Sequence, residues 1–238
     1  MADNWDALIG SYESDAKSIP WQAGLVEIGK SAPFCGATII CHRFVMTAAH
    51  CIRPVCINNP GSCYQILIEE HDIATGLDQA TRHNVKAINF HPNWFGPGVV
   101  FYDYDLALLE LTEEVILTGD SRAKAACLPA PSDDYFGNGT TFIVGGWDWQ
   151  SAGASSVPKY HHGTVPAMSD KECKQIYGET NTPRLHCVGH VNKGNVSCKA
   201  DIGGKGTFMN YVCKFFGFFT PSPLQFAYCL MFELTMPP

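Results

Sequence analysis

A chain of 238 residues is long enough for one large β domain or two packed half-barrels with an ample core. Only 16% of its residues are charged, and 22 glycines and 15 prolines supply many turns, which favours an all-β fold over a helical or disordered chain. The net charge of −7 argues against non-specific nucleic-acid binding, and no apolar run is long enough to suggest a membrane span.

Eleven cysteines, at spacings that suit disulfides, point to an oxidising compartment and hence to an extracellular, secreted protein. Asn138-Gly139-Thr140 and Asn195-Val196-Ser197 are acceptor triplets for N-glycosylation, a pattern that also arises by chance. Met1 to Gly10 has no basic start followed by an apolar segment, so no signal peptide is visible in this chain. The expectation is an incomplete N-terminus.

In chain order, Met1 to Ala7 reads as a short polar lead. Cys35-Gly36-Ala37-Thr38-Ile39-Ile40 and Phe44-Val45-Met46 carry branched and apolar residues on both sides, as expected of a hairpin in a barrel. Cys56 and Cys63 bracket a short loop, which either closes on itself as a disulfide or leaves both cysteines for other partners. Glu69-Glu70-His71-Asp72 reads as a solvated acidic turn. Asn84 to Phe90 alternates and predicts a strand, as does the apolar run Leu106 to Leu111 after Asp105. A stretch rich in Pro, Asp, Asn and Gly over 118–140 marks a boundary. His186 and His190 have the spacing of a zinc pair but no fitting second pair, so they and His161-His162 read as loop histidines, with no metal. Phe215 to Phe219 is an aggregation hazard if a barrel is left open.

One set of motifs resembles the trypsin-like serine proteases. Thr47-Ala48-Ala49-His50-Cys51 is similar to the family's histidine motif, and Asp105 opens an apolar strand as the family's aspartate does. Cys198-Lys199-Ala200-Asp201-Ile202-Gly203-Gly204 resembles the nucleophile loop Cys-x-Gly-Asp-Ser-Gly-Gly, in the same chain order of His, Asp and loop. Ser18-Ile19-Pro20-Trp21-Gln22, Ala126-Cys127-Leu128-Pro129 and Phe142-Ile143-Val144-Gly145-Gly146-Trp147 resemble further landmarks of that family.

The resemblance implies two six-stranded Greek-key β-barrels, the second incomplete at the C-terminus. It implies a lead over 1–7, a protease-like domain over 8–206 with half-barrels about 8–125 and 126–206, and a divergent segment over 207–238. It gives His50 and Asp105 the triad positions and Asp201 the activation-pocket position. Disulfides Cys35–Cys51 and Cys173–Cys187 follow from it, and Cys127 is left for a possible intermolecular bond. The acidic turn at 69–72 lies where some relatives bind calcium, but Leu77 and Ala80 leave too few oxygen ligands, so no cofactor is expected.

Departures from the pattern decide the functional reading. Ile202 stands at the nucleophile position, Ala200 at the oxyanion-hole position and Val196 at the floor of the specificity pocket. Ala7 occupies the cleavage position, and Phe142 and Phe208 replace a disulfide pair. An aliphatic Ile cannot form an acyl intermediate. The expectation is a non-catalytic homologue that binds a protease, a protein substrate or an inhibitor in an extracellular proteolytic pathway, with neither nucleic acid nor membrane as partner. The alternative is an active serine-type endopeptidase whose 3′ sequence is mispredicted or variant.

Overall fold

Strand-forming segments rich in Val, Ile, Leu, Tyr and Phe recur along the chain, and their register decides which of them close on one another. The computed structural model describes residues 12–15, 18–75, 80–94, 104–128, 141–147, 159–167, 169, 171 and 172. Among these, β1 spans Tyr12–Glu13, β2 Gln22–Glu27, β3 Cys35–Ile39, β4 Phe44–Thr47 and β5 Tyr64–Ile68. β6 spans Thr81–Phe90, β7 Ala107–Leu111, β8 Thr141–Gly146 and β9 His161–Pro166.

Strands β2 to β7 form a closed barrel in the order β2-β3-β4-β7-β6-β5, every pair antiparallel, with β5 returning to β2. The all-β expectation holds, with one six-stranded barrel in full. A second sheet runs β1-β9-β8. The rest of the second half, including its expected incompleteness, lies outside the described residues.

Period-two alternation fills the barrel. Tyr64, Ile66 and Ile68 of β5 meet Leu109 and Leu111 of β7, with Leu25, Ile39, Val45 and Val85, in one interior cluster. Most of these side chains are fully inaccessible, so each contributes about 1.5–3 kcal/mol relative to exposure. The outer face of β7 is apolar too. Leu108 lies opposite Met46 and packs with Ile40, against Phe44, Leu106 and Leu128. Burial on both faces explains why 106–111 reads as a continuous apolar run.

Local irregularities have identifiable causes. The register of β6 against β7 shifts between Val85 and Ala87, and Lys86 at the bulge donates to Glu110 at 2.5 Å. The Ile40 and Cys41 N–H groups both reach the Phe44 carbonyl and close the β3–β4 turn. Cys41 is itself disulfide-bonded. The 115–126 strap is tied down by Val115 N–H to the His42 carbonyl, Lys124 N–H to Pro20 and Ala126 N–H to Ile39.

The second sheet is held on the barrel by a few polar contacts. Trp147 Nε1–H and the Tyr160 N–H both donate to the His71 carbonyl, at 3.1 and 2.8 Å. The Tyr160 hydroxyl donates to Gln22 Oε1, and its ring meets Trp147 edge-on at 5.0 Å.

Two expectations are corrected. Glu69 is not part of a solvated turn: its carboxylate accepts from Ser121 Oγ and from the N–H groups of Arg122 and Ala123, which pulls it inward onto the strap. His161 and His162 are not loop residues but open β9, and His162 is buried, because β1 pairs across them.

Candidate active-site dyad

His50 and Asp105 are 55 positions apart, and the barrel brings them together. Strand β4 delivers the chain to a 3-10 turn over Ala49–Cys51, where Ala48 is still extended and Ala49 and Cys51 are buried. Cys51 is bonded to Cys35 at the start of β3, with the two Cα atoms 6.4 Å apart. Thr47 Oγ1 donates to the Gly36 carbonyl at 2.8 Å, a second tie between the same two strands. His50 is thus anchored by its neighbours on both sides.

Asp105 is placed by backbone shape. Tyr104 has φ +57°, in the left-handed region that a bulky side chain rarely adopts, and its ring stacks on His91 with centroids 4.5 Å apart. The chain then runs into β7, whose first residues pair with β4 and β6. The Asp105 carboxylate is completely buried, whereas the His50 ring keeps 13% of its exposure.

One carboxylate oxygen holds the backbone and the other holds the ring. His50 N–H donates to Asp105 Oδ1 at 2.8 Å. His50 Nδ1 lies in a short contact with Asp105 Oδ2. A carboxylate only accepts, so this contact puts the ring proton on Nδ1 and leaves Nε2 as the basic nitrogen. Such a pair can hold an imidazole as a general base, provided a group with a proton to give lies beyond Nε2. Cys35, His50 and Cys51 cluster closely enough to suggest a metal site, but both sulfurs are used in the disulfide and offer no thiolate.

Comparison with known proteins fits this geometry. The family model described as Trypsin matches residues 8–207. The chain belongs to the trypsin family. Trypsin 5G1 of Aedes aegypti is 34% identical over 84% of this chain and 73% of its own length. Trypsin of Sus scrofa is 31% identical over 85% of this chain and 80% of its own. Among solved structures, neuropsin, a serine protease of mouse brain, matches 83% of each chain with a TM-score of 0.65 at 20% identity, a likeness of fold.

In this trypsin-family chain, the other predicted positions fall outside the described residues: Val196, Ala200, Asp201 and Ile202, the Cys173–Cys187 pair, and Phe208. Cys127 is described and half-buried, at the end of the strap. Cys56 and Cys63 form a disulfide, which resolves the choice left open by their spacing. Sequence reading passed over Tyr104 and His91. Nothing in the triplet Asp103-Tyr104-Asp105 marks a left-handed tyrosine, and the stack depends on a contact between separate segments.

Proposed function

We propose that this chain is a non-catalytic member of the trypsin family, secreted, which acts by binding a protease, a protein substrate or an inhibitor. The observation that carries this reading is Ile202 at the position aligned with the nucleophile, in a chain that keeps the His50–Asp105 pair. A hydrocarbon side chain has no proton to give the basic nitrogen and no atom to form an acyl bond. Ala200 adds a second obstacle, since the oxyanion amide needs a backbone orientation that glycine reaches more readily. His50 and Asp105 then serve as inherited structure, with the carboxylate satisfying a backbone N–H. Val196 provides no charge for a basic substrate side chain.

Secretion is supported by the Cys35–Cys51 and Cys56–Cys63 disulfides and by the further bond of Cys41, which require an oxidising compartment. No helix among the described residues is long and apolar enough to cross a membrane. Calcium has no role in this reading, because Glu69 directs its carboxylate to the strap.

The test is labelling with a fluorophosphonate probe. The purified protein is expected to remain unlabelled, and labelling of the wild-type chain would overturn the proposal. Losing the serine in a related mechanism costs about a million-fold in turnover, so the two outcomes are well separated. Ile202→Ser measures whether the nucleophile is the only missing part. Its failure to label is expected, given Ala200.

One observation favours the second reading, an active endopeptidase with an altered 3′ sequence: the family match stops at residue 207. Sequencing the transcript across codons 196–238 separates the two. A serine codon at 202, followed by a restored family-like C-terminal strand, would favour the enzyme.

A further inference from the structure

Strand β1 is only two residues long, which is little backbone pairing for an edge strand, yet three side chains in succession tie it to the protein. Glu13 Oε1 accepts from Lys159 Nζ at 2.8 Å and lies 3.4 Å from His71 Nε2. The Ser14 N–H donates to the Tyr160 carbonyl at 3.0 Å. The third tie is the unusual one. The ring of His162, on β9, sits between Tyr12 and Ser14. Its Nδ1 makes a short contact with Ser14 Oγ, and its Nε2 lies 2.8 Å from the Tyr12 hydroxyl. The Tyr12 ring meets the imidazole edge-on at 4.4 Å. Ser14 and His162 are only 4% and 8% exposed.

We propose that His162 is an acid-sensitive clasp on β1, and that protonating its ring releases residues 12–14 and uncovers the hydrogen-bonding edge of β9. This inference is independent of whether the chain is catalytic. A neutral imidazole offers one donor and one acceptor, and the two hydroxyls can each take either part, so the neutral clasp is fully satisfied. A protonated ring still finds two oxygens, but its charge lies in a site shielded from water. Among the described residues no carboxylate touches it. Glu13 faces Lys159 and His71 instead, His161 adds like charge beside it, and β8 presents Gly145 opposite.

The sign follows from the same geometry. Burial first, and His161 second, lower the His162 pKa below the ordinary imidazole value. The clasp is therefore present in full above about pH 6.5 and is lost as pH falls through the lowered folded-state value. His71 contacts Glu13 rather than Tyr12 or Ser14, so the two histidines are separable by substitution.

The experiment is amide hydrogen exchange of the full chain at Ser14, corrected for intrinsic rates, from pH 7.5 to pH 4.5. Protection is expected to fall by about tenfold for each unit by which the His162 pKa lies below the free value. The fall should begin near pH 6.5 and level off at the pH where the His162 ring resonances titrate. His162→Gln is expected to lose the pH dependence, and His71→Gln to keep it. Flat protection in the wild type, a plateau away from the pH of the His162 ring titration, or a slope that disappears in His71→Gln instead would each overturn the clasp. The comparison of the plateau with the ring titration uses only wild-type protein, so it stands even if His162→Gln folds poorly.

Discussion

At the scale of single residues, the carboxylates of this chain do structural work that their positions in the sequence disguise. Glu69 has φ +62° and accepts from one hydroxyl and two backbone amides of the strap. Glu69→Ala keeps the left-handed strain and orphans the Arg122 N–H, while the Ala123 N–H keeps Ser121 Oγ, so a loss of about 1–3 kcal/mol is expected in urea unfolding. Glu69→Gly also loses the acceptor but relieves the backbone, and should be less damaging by about 1 kcal/mol. Equal losses would mean that the backbone conformation costs nothing. Asp105 poses the same question at the dyad, since one of its oxygens serves only the His50 backbone. Asp105→Ala is expected to lower stability by about 1–3 kcal/mol, measured by the same unfolding experiment, whether or not the chain has activity. None of this is legible from Glu69-Glu70-His71-Asp72, where four consecutive polar residues read as solvent-facing. A carboxylate's partners come from a segment some 50 residues away, so local sequence carries no trace of them.

At the scale of elements, the disulfides and the sheet-to-barrel junction set the stability of each part. The loop closed by Cys35 and Cys51 is 16 residues in sequence separation, and that closed by Cys56 and Cys63 is 7. Chain-entropy arguments give about 3 and about 2.5 kcal/mol respectively. Replacing Cys56 and Cys63 together by serine is expected to lower stability by about that smaller amount, while leaving the barrel's circular dichroism unchanged. The junction is more sensitive to volume. A Cβ on Gly145 would overlap the Tyr160 hydroxyl and approach the His161 carbonyl to 2.9 Å. Gly145→Ala should therefore detach Tyr160 from Gln22 and cost about 1–3 kcal/mol, seen as a lower melting temperature. The barrel strands β3, β4, β6 and β7 were readable from branched, apolar or alternating residues, whereas β5 was not singled out. β1 was not, because two residues carry no period. β9 was not either, because its histidines resemble a polar loop until β1 covers them.

At the scale of the whole molecule, two desolvated histidines make the fold weaker in acid. Desolvation lowers the His83 pKa against smaller opposing effects of Glu113 and Glu69, and burial lowers that of His162. Both contribute stability present above about pH 6.5 and lost as pH falls through their folded-state values. Global unfolding free energy is expected to drop between pH 7 and pH 5, by at most about 1.4 kcal/mol per pH unit for each histidine. His83→Gln should remove part of that slope. A stability that rises on acidification would contradict the assignment.

The ancestry is legible in the amino-acid order alone. The histidine motif around His50, the strand after Asp105 and the altered loop at Ile202 are contiguous words, and each keeps its meaning when read alone. The all-β class and four of the barrel strands, β3, β4, β6 and β7, were also within its reach, since alternation and apolar runs are local consequences of burying one face or both. Which groups meet depends on how the strands close on one another. Closing β5 onto β2 and β7 onto β4 brings Asp105 under His50, turns Glu69 toward the strap, and lays Tyr12 and Ser14 on either side of His162. Those contacts join residues tens to more than a hundred positions apart, and their energies depend on burial and on partners that no local pattern encodes.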